Sequence, residues 1–147
     1  METNRRDHAL VSYDGRLYAF GGYNGNHLNS MESFDPRMRK WEKLTSMKEN
    51  RDGLCGVVCN GEIYAIGGYE LDSVERYNFR TNSWMKPKRM NYERHYASAC
   101  VVNGKIYVVG GGNESRTSVE VYDPTIDEWK IETNMEIPRR ASSVVAL

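Results

Sequence analysis

The sequence has no long apolar run, no excess of either charge and no signal peptide. None of its stretches approaches the roughly 18 consecutive apolar residues needed to span a bilayer, and residues 1–5 lack the pattern of a signal peptide. The 20 basic and 20 acidic residues are interleaved, and the net charge is zero. This balance argues against nucleic acid or an acidic membrane surface as the main partner. We therefore expect a soluble, cytoplasmic protein.

Cysteine is also scarce. The number of cysteines is odd. They are Cys55, Cys59 and Cys100, and each lies in an apolar strand pattern. Residues four apart in a strand share a face but lie about 13 Å apart, so Cys55 and Cys59 cannot ligate one metal ion together. We expect packed, reduced thiols without a disulfide framework. A redox-sensing role or an unusual site is the alternative.

The chain repeats itself about every 45 residues, a period typical of propellers and solenoid arrays. Each unit contains a tight turn, a short apolar run, a Gly-Gly pair, a variable loop, an alternating segment and a tryptophan. The Gly-Gly pairs begin at Gly21, Gly67 and Gly110, and the tryptophans are Trp41, Trp84 and Trp129. Propellers usually close with roughly four to eight blades, so three units predict an arc of a ring.

Each unit is predicted to form four antiparallel strands. The turn dipeptides are Asp14-Gly15, Asn60-Gly61 and Asn103-Gly104, which favour two-residue type I′ hairpins. The apolar runs that follow, at 17–20, 63–66 and 106–109, predict second strands buried on both faces. Each tryptophan begins a fourth strand, and we predict that each indole packs between adjacent blades.

Two polar residues recur in register with the strands. The glutamates are Glu32, Glu75 and Glu120, and a Met-x-x-x-Arg spacing ends at Arg5, Arg51, Arg94 and Arg139. Blades separate the carboxylates around the ring, and acid and base catalysts must reach one substrate. We therefore favour structural hydrogen bonds to neighbouring loops over acid–base chemistry for the glutamates.

The Met-x-x-x-Arg spacing also delimits the units. It predicts blades at residues 1–46, 47–89 and 90–134, and the first strand of a further blade within residues 135–147. Both ends of the chain fall at the same point of the repeat. We expect the chain to be cut from a longer array, or to need further blades or a second chain to complete the ring.

These motifs resemble the kelch repeat family: an apolar strand, Gly-Gly, a variable loop, Ser-Val-Glu-x-Tyr-Asp-Pro and then Trp. The chain departs from that pattern at Phe34, which replaces the Tyr, and at Asn78-Phe79, which replaces Asp-Pro. The resemblance implies an all-β fold, a kelch-type β-propeller present as a partial ring of three four-stranded antiparallel blades plus the first strand of a fourth.

The Met-x-x-x-Arg spacing and the hairpins look most like the substrate-receptor part of BTB-kelch proteins, which are adaptors for cullin-RING ubiquitin ligases. The sequence does not include the BTB and BACK regions that bind the cullin. The resemblance therefore implies a protein-interaction module that carries substrate recognition. The alternative is an actin-binding or cytoskeletal scaffold, because kelch arrays also bind and cross-link actin filaments.

In such receptors a protein or peptide ligand lies over one mouth of the channel. Carried over to this sequence, the residues at the start of the first strands are Arg51, Asp52, Arg94, His95, Arg139 and Arg140. Those of the variable loops are Tyr23, Asn24, Asn26, His27, Tyr69, Glu70, Asn113, Glu114, Ser115 and Arg116. For the arginines two interpretations stay open: bidentate contacts to a ligand, or ion pairs within the fold.

Nothing in the sequence indicates catalysis. His8, His27 and His95 occupy unrelated repeat positions, so they predict no metal site. Kelch-like blades also occur in enzymes of the galactose-oxidase type, but the copper ligands and cysteine-linked tyrosine of those enzymes have no counterpart here. Nucleophile-elbow, phosphate-loop and zinc motifs are missing. We expect no enzyme activity and no cofactor.

Overall fold

The structure, a computed structural model, describes residues 1–112, 117–139 and 144. Its strands are β1 (Ala9–Tyr13), β2 (Arg16–Phe20), β3 (Met31–Asp35), β4 (Lys40–Leu44), β5 (Cys55–Cys59), β6 (Glu62–Ile66), β7 (Val74–Asn78), β8 (Ser83–Met85), β9 (Ser98–Val102), β10 (Lys105–Val109), β11 (Ser118–Asp123) and β12 (Glu128–Asn134). Within the described ranges, no helix has the length and apolarity needed to cross a membrane.

The strands form three antiparallel sheets of four strands, each made of strands consecutive in the chain. We call them sheet 1 (β1 to β4), sheet 2 (β5 to β8) and sheet 3 (β9 to β12). The predicted all-β fold, a partial propeller of three four-stranded blades, is confirmed. The predicted first strand of a further blade lies largely outside the described residues.

The first two strands of each sheet are joined by the predicted two-residue hairpins. Asn60 and Gly61 have φ angles of +50° and +76°, and Asn103 and Gly104 have +50° and +73°. Positive φ at both central residues is the signature of a type I′ turn, which asparagine and glycine tolerate best. The turn sequence thereby sets the register between the two strands.

Sheet 2 lies between the other two sheets, and β5 packs against β1 on one side and β9 on the other. On the sheet 1 side, Phe20 and Ile63 belong to one apolar cluster, and on the sheet 3 side Ile66 and Val108 belong to a second. Strand β6 is therefore buried on both faces, as predicted. In β10 alternate residues are only half-buried, because no described sheet covers the outer face of sheet 3.

Two of the three indoles pack between sheets. Trp84 is 3% exposed, lies 6.0 Å from the Phe20 ring and donates its Nε1–H to the Thr45 carbonyl at 2.8 Å. Trp129 makes the equivalent bond to Lys88 at 3.0 Å. The prediction is wrong for Trp41, which is half-buried and packs against Phe34 of its own sheet, because no described sheet precedes sheet 1.

Each sheet contains a buried arginine bonded to a buried glutamate, at the end of the sheet that carries the variable loop. The Arg51 guanidinium donates to the carbonyls of Gly67 and Ser73, both at 2.8 Å, and to Glu75 Oε1 at 3.3 Å. The Glu75 carboxylate also accepts the backbone N–H groups of Lys48 and Glu49. The same set recurs as Arg5 with Gly21, Ser30 and Glu32, and as Arg94 with Gly110, Ser118 and Glu120. The structural bonds predicted for the glutamates are thus present.

The Gly-Gly pairs bind each sheet to the next repeat. Gly67 has a φ of +66°, and a Cβ atom there would collide with the Arg94 carbonyl oxygen. The N–H of Gly68 donates to that same oxygen at 2.9 Å, as Gly22 does to the Arg51 carbonyl at 2.7 Å. Glycine is required because the backbones approach closely in a left-handed conformation.

Replacing Trp84 by alanine should lower the free energy of unfolding by about 3–5 kcal/mol, since a large buried side chain and its cavity are involved. Trp41→Ala is the matched control, and its loss should be clearly smaller because that indole is only half-buried. Urea unfolding followed by circular dichroism measures both. Equal losses would show that stacking between sheets does not stabilise the indoles.

Replacing Arg51 by alanine should cost about 3–5 kcal/mol of unfolding free energy, because it leaves the Glu75 carboxylate buried without its cation. In Arg89→Ala, which removes an exposed partner of Asp72, the loss should stay below about 1 kcal/mol. Chemical denaturation of the two variants provides the comparison. A small effect of Arg51→Ala would mean that the carbonyl and carboxylate contacts are dispensable.

The three thiols are unpaired, and burial raises the pKa of each, that of Cys55 to about 12. A pKa raised from 9 to about 12 lowers the thiolate fraction at pH 8 roughly a thousandfold. Cys55 should therefore react with iodoacetamide far more slowly in the native chain than in guanidinium chloride. Mass spectrometry of alkylated peptides measures this ratio, and equal rates would contradict the assignment.

Candidate functional site

Backbone bonds gather segments of all three repeats at one end of the sheets. The N–H of Gly53 donates to the Asp7 carbonyl at 2.8 Å, and the N–H of Tyr96 donates to the Gly53 carbonyl at 2.7 Å. The N–H of Tyr69 in turn donates to the Asp52 carbonyl at 2.9 Å. The variable loops and the segments before β1, β5 and β9 therefore form one continuous surface.

Five rings cross this surface in sequence. Neighbouring ring centroids are 5.3 Å apart from Tyr23 to His27, 6.3 Å from His27 to Tyr69, 5.8 Å from Tyr69 to His95 and 5.5 Å from His95 to Tyr96. We call these five residues the aromatic row. It spans the three repeats, and Tyr69 stands at its centre.

Two pockets share Tyr69 as a wall. The first, which we call the Tyr23 pocket, has a volume of about 320 Å³ and is lined by Arg6, Asp7, Tyr23, His27, Asp52, Tyr69 and Tyr96. The second, the Tyr92 pocket, has a volume of about 540 Å³ and is lined by Tyr69, Glu70, Asp72, Asn91, Tyr92, Glu93, His95 and Gly112. Tyr69 is 53% exposed and thus projects between them.

The Tyr23 pocket is electrically mixed. The Arg6 guanidinium lies 5.1 Å from the centre of the Tyr23 ring, and His27 Nδ1 lies 2.5 Å from Asp52 Oδ1. The Asp52 carboxylate therefore orients the His27 ring, which stacks at 15° to the plane of the Tyr69 ring. Rings held in this way offer contact area with a small loss of conformational freedom.

Both pockets carry carboxylates. Glu70, Asp72 and Glu93 line the Tyr92 pocket, and Asp7 and Asp52 line the Tyr23 pocket. Asp72 is bonded to the Arg89 guanidinium at 3.3 Å. The surface as a whole thus combines exposed aromatic rings with charged groups.

The structure brings together six of the residues predicted from the sequence. Those that line a pocket are Tyr23, His27, Asp52, Tyr69, Glu70 and His95. Asn24 and Asn26 line neither pocket; the N–H of Asn26 donates to Asn24 Oδ1 at 3.3 Å within an exposed loop. Arg139 is exposed, and its carbonyl accepts the N–H of Gly111. Asn113, Glu114, Ser115, Arg116 and Arg140 lie outside the described residues.

Arg51 and Arg94 are 0% and 1% exposed. Their guanidinium groups point into the sheets, where carbonyl groups and the glutamates bind them. Of the two interpretations left open by the sequence, the geometry fits the ion pair within the fold. The recurring arginine position thus belongs to the buried part of each sheet.

The sequence prediction missed residues of two kinds of segment. Asp7, Asn91, Tyr92, Glu93 and Tyr96 precede a first strand, and Asp72 lies in the variable loop before β7; all of them line a pocket. For Asn91, Tyr92 and Glu93 a signal was present, because they are the three residues inside a Met-x-x-x-Arg spacing. These three positions read Glu-Thr-Asn, Lys-Glu-Asn and Asn-Tyr-Glu in successive units, so they vary as the loops do. Variable positions on a repeated scaffold mark the surface that carries specificity.

Comparison with known proteins agrees with the fold. The family model of the KLHDC2/KLHL20/DRC7 Kelch-repeats domain matches residues 1–147. The chain is similar to Kelch-like protein 26 of Danio rerio, with 36% identity over 70 residues, 47% of this chain and 12% of that protein. It is 38% identical over 75 residues to Kelch-like protein 28 of Homo sapiens, covering 45% of this chain and 13% of the relative.

A third relative is Beta-scruin of Limulus polyphemus, 34% identical over 70 residues, 46% of this chain and 8% of that protein. The matched segments thus correspond to 8 to 13% of the length of these three relatives. The family model covers every residue of the chain, and the three stacked sheets carry the Gly-Gly, glutamate and tryptophan positions in register. This chain therefore belongs to the kelch repeat family.

Proposed function

We propose that this chain is the substrate-recognition part of a BTB-kelch adaptor for a cullin-RING ubiquitin ligase, and that it binds a protein or peptide segment across the aromatic row. The observation that carries the proposal is Tyr69, a large ring 53% exposed and shared by two pockets. The likeness to several Kelch-like proteins supports an interaction role, which is the general role of kelch domains.

The shape of the surface favours an extended peptide. Small-molecule sites are usually concave and mostly apolar, whereas the Tyr92 pocket presents mostly polar surface and the Tyr23 pocket is shallow. His27 and His95 flank Tyr69 at centroid distances of 6.3 and 5.8 Å. Side chains two residues apart in an extended chain are separated by about 7 Å. We infer that side chains of one extended segment enter the two pockets on either side of Tyr69.

The surface is also ordered before a partner arrives. Tyr69 is held by its N–H bond to Asp52, and the turn that follows is closed by the N–H of Leu71 donating to the Gly68 carbonyl at 3.1 Å. A loop already in its bound shape loses little conformational entropy on association. This preorganisation supports a binding role for the Tyr69 turn.

Replacing Tyr69 by alanine should weaken peptide binding by roughly 10- to 100-fold, because exposed central aromatic residues dominate interface energies. Peptides selected by display on the immobilised chain serve as probes, and fluorescence polarisation measures their dissociation constants. Met38→Ala is the matched control, since Met38 is 65% exposed on the turn between β3 and β4. Thermal unfolding should be unchanged in both variants.

Two outcomes would redirect the proposal. Peptides that bind Tyr69→Ala as tightly as the native chain would place the binding surface elsewhere. Co-sedimentation with actin filaments that survives Tyr69→Ala would favour the scaffold alternative. The adaptor role has its own test, which is whether the parent protein brings a bound peptide ligand to a cullin. Its failure would leave the binding surface intact.

A further inference from the structure

A groove separate from the aromatic row lies between sheets 2 and 3. It has a volume of about 410 Å³. The described residues that line it include Arg76, Met85 and Lys86 on the sheet 2 side and Tyr122, Pro124 and Ile126 on the sheet 3 side. We call it the Pro124 groove. It shares no lining residue with the Tyr23 pocket or the Tyr92 pocket, so a ligand in this groove would not use Tyr69.

Between sheets 1 and 2, an aromatic residue stands at the position that corresponds to Pro124. Phe79 directly follows β7, as Pro124 directly follows β11. The Phe79 ring stacks on Tyr13 at a centroid distance of 4.8 Å and packs edge-on against Tyr18 at 5.3 Å and Tyr77 at 5.1 Å. The chain itself therefore shows that an aromatic ring fits between neighbouring sheets at this turn.

The two turns are held in the same way. The Asn78 side-chain oxygen accepts the N–H of Arg80 at 2.9 Å, and the Asp123 carboxylate accepts the N–H of Thr125 at 3.0 Å. Both are side-chain-to-backbone bonds to the residue two positions on, the pattern of an Asx turn. The difference between the two places therefore lies in the side chain after the Asn or Asp, because proline is much smaller than phenylalanine.

The lining of the Pro124 groove suits an aromatic ring. The Arg76 side chain, 31% exposed, lines it together with Tyr122 and Pro124. A guanidinium group attracts the face of an aromatic ring. Met85 and Ile126 are 47% and 62% exposed and add apolar surface. An aromatic side chain gains both kinds of contact here, whereas an aliphatic side chain gains only the apolar one.

The charges of the groove favour an acidic residue beside that ring. Its two cations are Arg76 and Lys86, each paired with a glutamate that does not line the groove, and the Lys86 side chain is 44% exposed. The carboxylate among the described lining residues is Asp127, which already accepts the Tyr122 hydroxyl at 2.7 Å and the N–H of Lys88 at 2.9 Å. An acidic residue of a partner therefore meets more opposite than like charge.

We propose that the Pro124 groove binds an aromatic side chain of a partner protein, at a place where an acidic residue is its neighbour in the partner's sequence. The ring stacks on the Arg76 guanidinium and packs against Pro124 and Ile126. The neighbouring carboxylate reaches the Lys86 ammonium by a charge-assisted hydrogen bond. This site is a second contact surface and does not depend on the peptide site proposed across the aromatic row.

The test uses short probes and needs no known partner. The ¹⁵N-labelled 147-residue chain is titrated with the N-acetyl methylamides of phenylalanine, leucine and alanine. Phenylalanine should produce saturable shifts at the amides of Met85, Thr125 and Ile126. Leucine should bind about two- to fivefold more weakly, because it lacks the cation–π contact, and alanine should give no saturable shift.

The charge preference is measured with two dipeptide probes of the same kind, aspartyl-phenylalanine and lysyl-phenylalanine. The aspartyl probe should bind more tightly, and added salt should reduce the difference because ionic strength screens exposed charges. Equal affinities at low salt would show that the acidic neighbour is wrong.

Replacing Pro124 by phenylalanine should fill the groove from within, as Phe79 fills its own place, and should abolish the saturable shifts. The matched control is Pro36→Phe, which makes the same change at the same turn position of sheet 1 and should respond like the native chain. Ile126→Ser should weaken the phenylalanine probe several-fold while keeping a native amide spectrum, since that side chain is 62% exposed. An unaltered response of Pro124→Phe, or no shift at the groove in the native chain, would overturn the proposal.

Peptide display on the Tyr69→Ala chain separates this result from the proposed function. Counter-selection on the double variant Tyr69→Ala, Pro124→Phe should leave peptides in which an aromatic residue adjoins an acidic one. Recovery of peptides without an aromatic residue would show that the groove specificity is wrong. If peptides bind the native chain through Tyr69 but none depends on Pro124, the groove proposal fails and the proposed function stands. If peptides depend on Pro124 but none on Tyr69, the reverse holds.

Discussion

In each sheet one buried arginine binds backbone carbonyl groups and a glutamate carboxylate. The end of the domain that carries the variable loops depends on this interaction. Arg51 shows the arrangement, with two carbonyl oxygens at 2.8 Å and the Glu75 carboxylate at 3.3 Å. A buried charge is tolerated only when it is paired and fully hydrogen-bonded. Meeting that demand ties together the Gly-Gly pair, the third strand and the segment before the first strand.

The same network explains why variable side chains can occupy the surface above it. Each repeat places a buried arginine beneath a glycine in the left-handed conformation. This recurring geometry holds the backbone of each loop through bonds such as that from the N–H of Gly68 to the Arg94 carbonyl. The side chains of Tyr69 and Glu70 take no part in these backbone bonds and are exposed.

Much of the fold could be predicted because its signals are local. Asn60-Gly61 dictates a type I′ turn through its own φ angles, and the apolar run at 63–66 dictates a buried strand. Burial of Trp41 could not be predicted in this way. Trp41 occupies the same position in its repeat as Trp84, but an indole is buried only if a neighbouring sheet packs against it. Repeat position fixes which face a residue occupies and leaves open whether that face is covered.

Strands, hairpins and the repeat were determined by the sequence alone, because turn dihedral preferences and apolar alternation act over a few residues. Only the tertiary structure decided which of the candidate binding residues are accessible. Arg51 and Tyr69 were both candidates for partner binding, yet Arg51 is buried and Tyr69 projects into solvent. Tyr23, Tyr69 and Tyr96 are far apart in the chain and meet because stacked sheets bring equivalent loops side by side. Proximity of that kind has no signature within any single stretch of sequence.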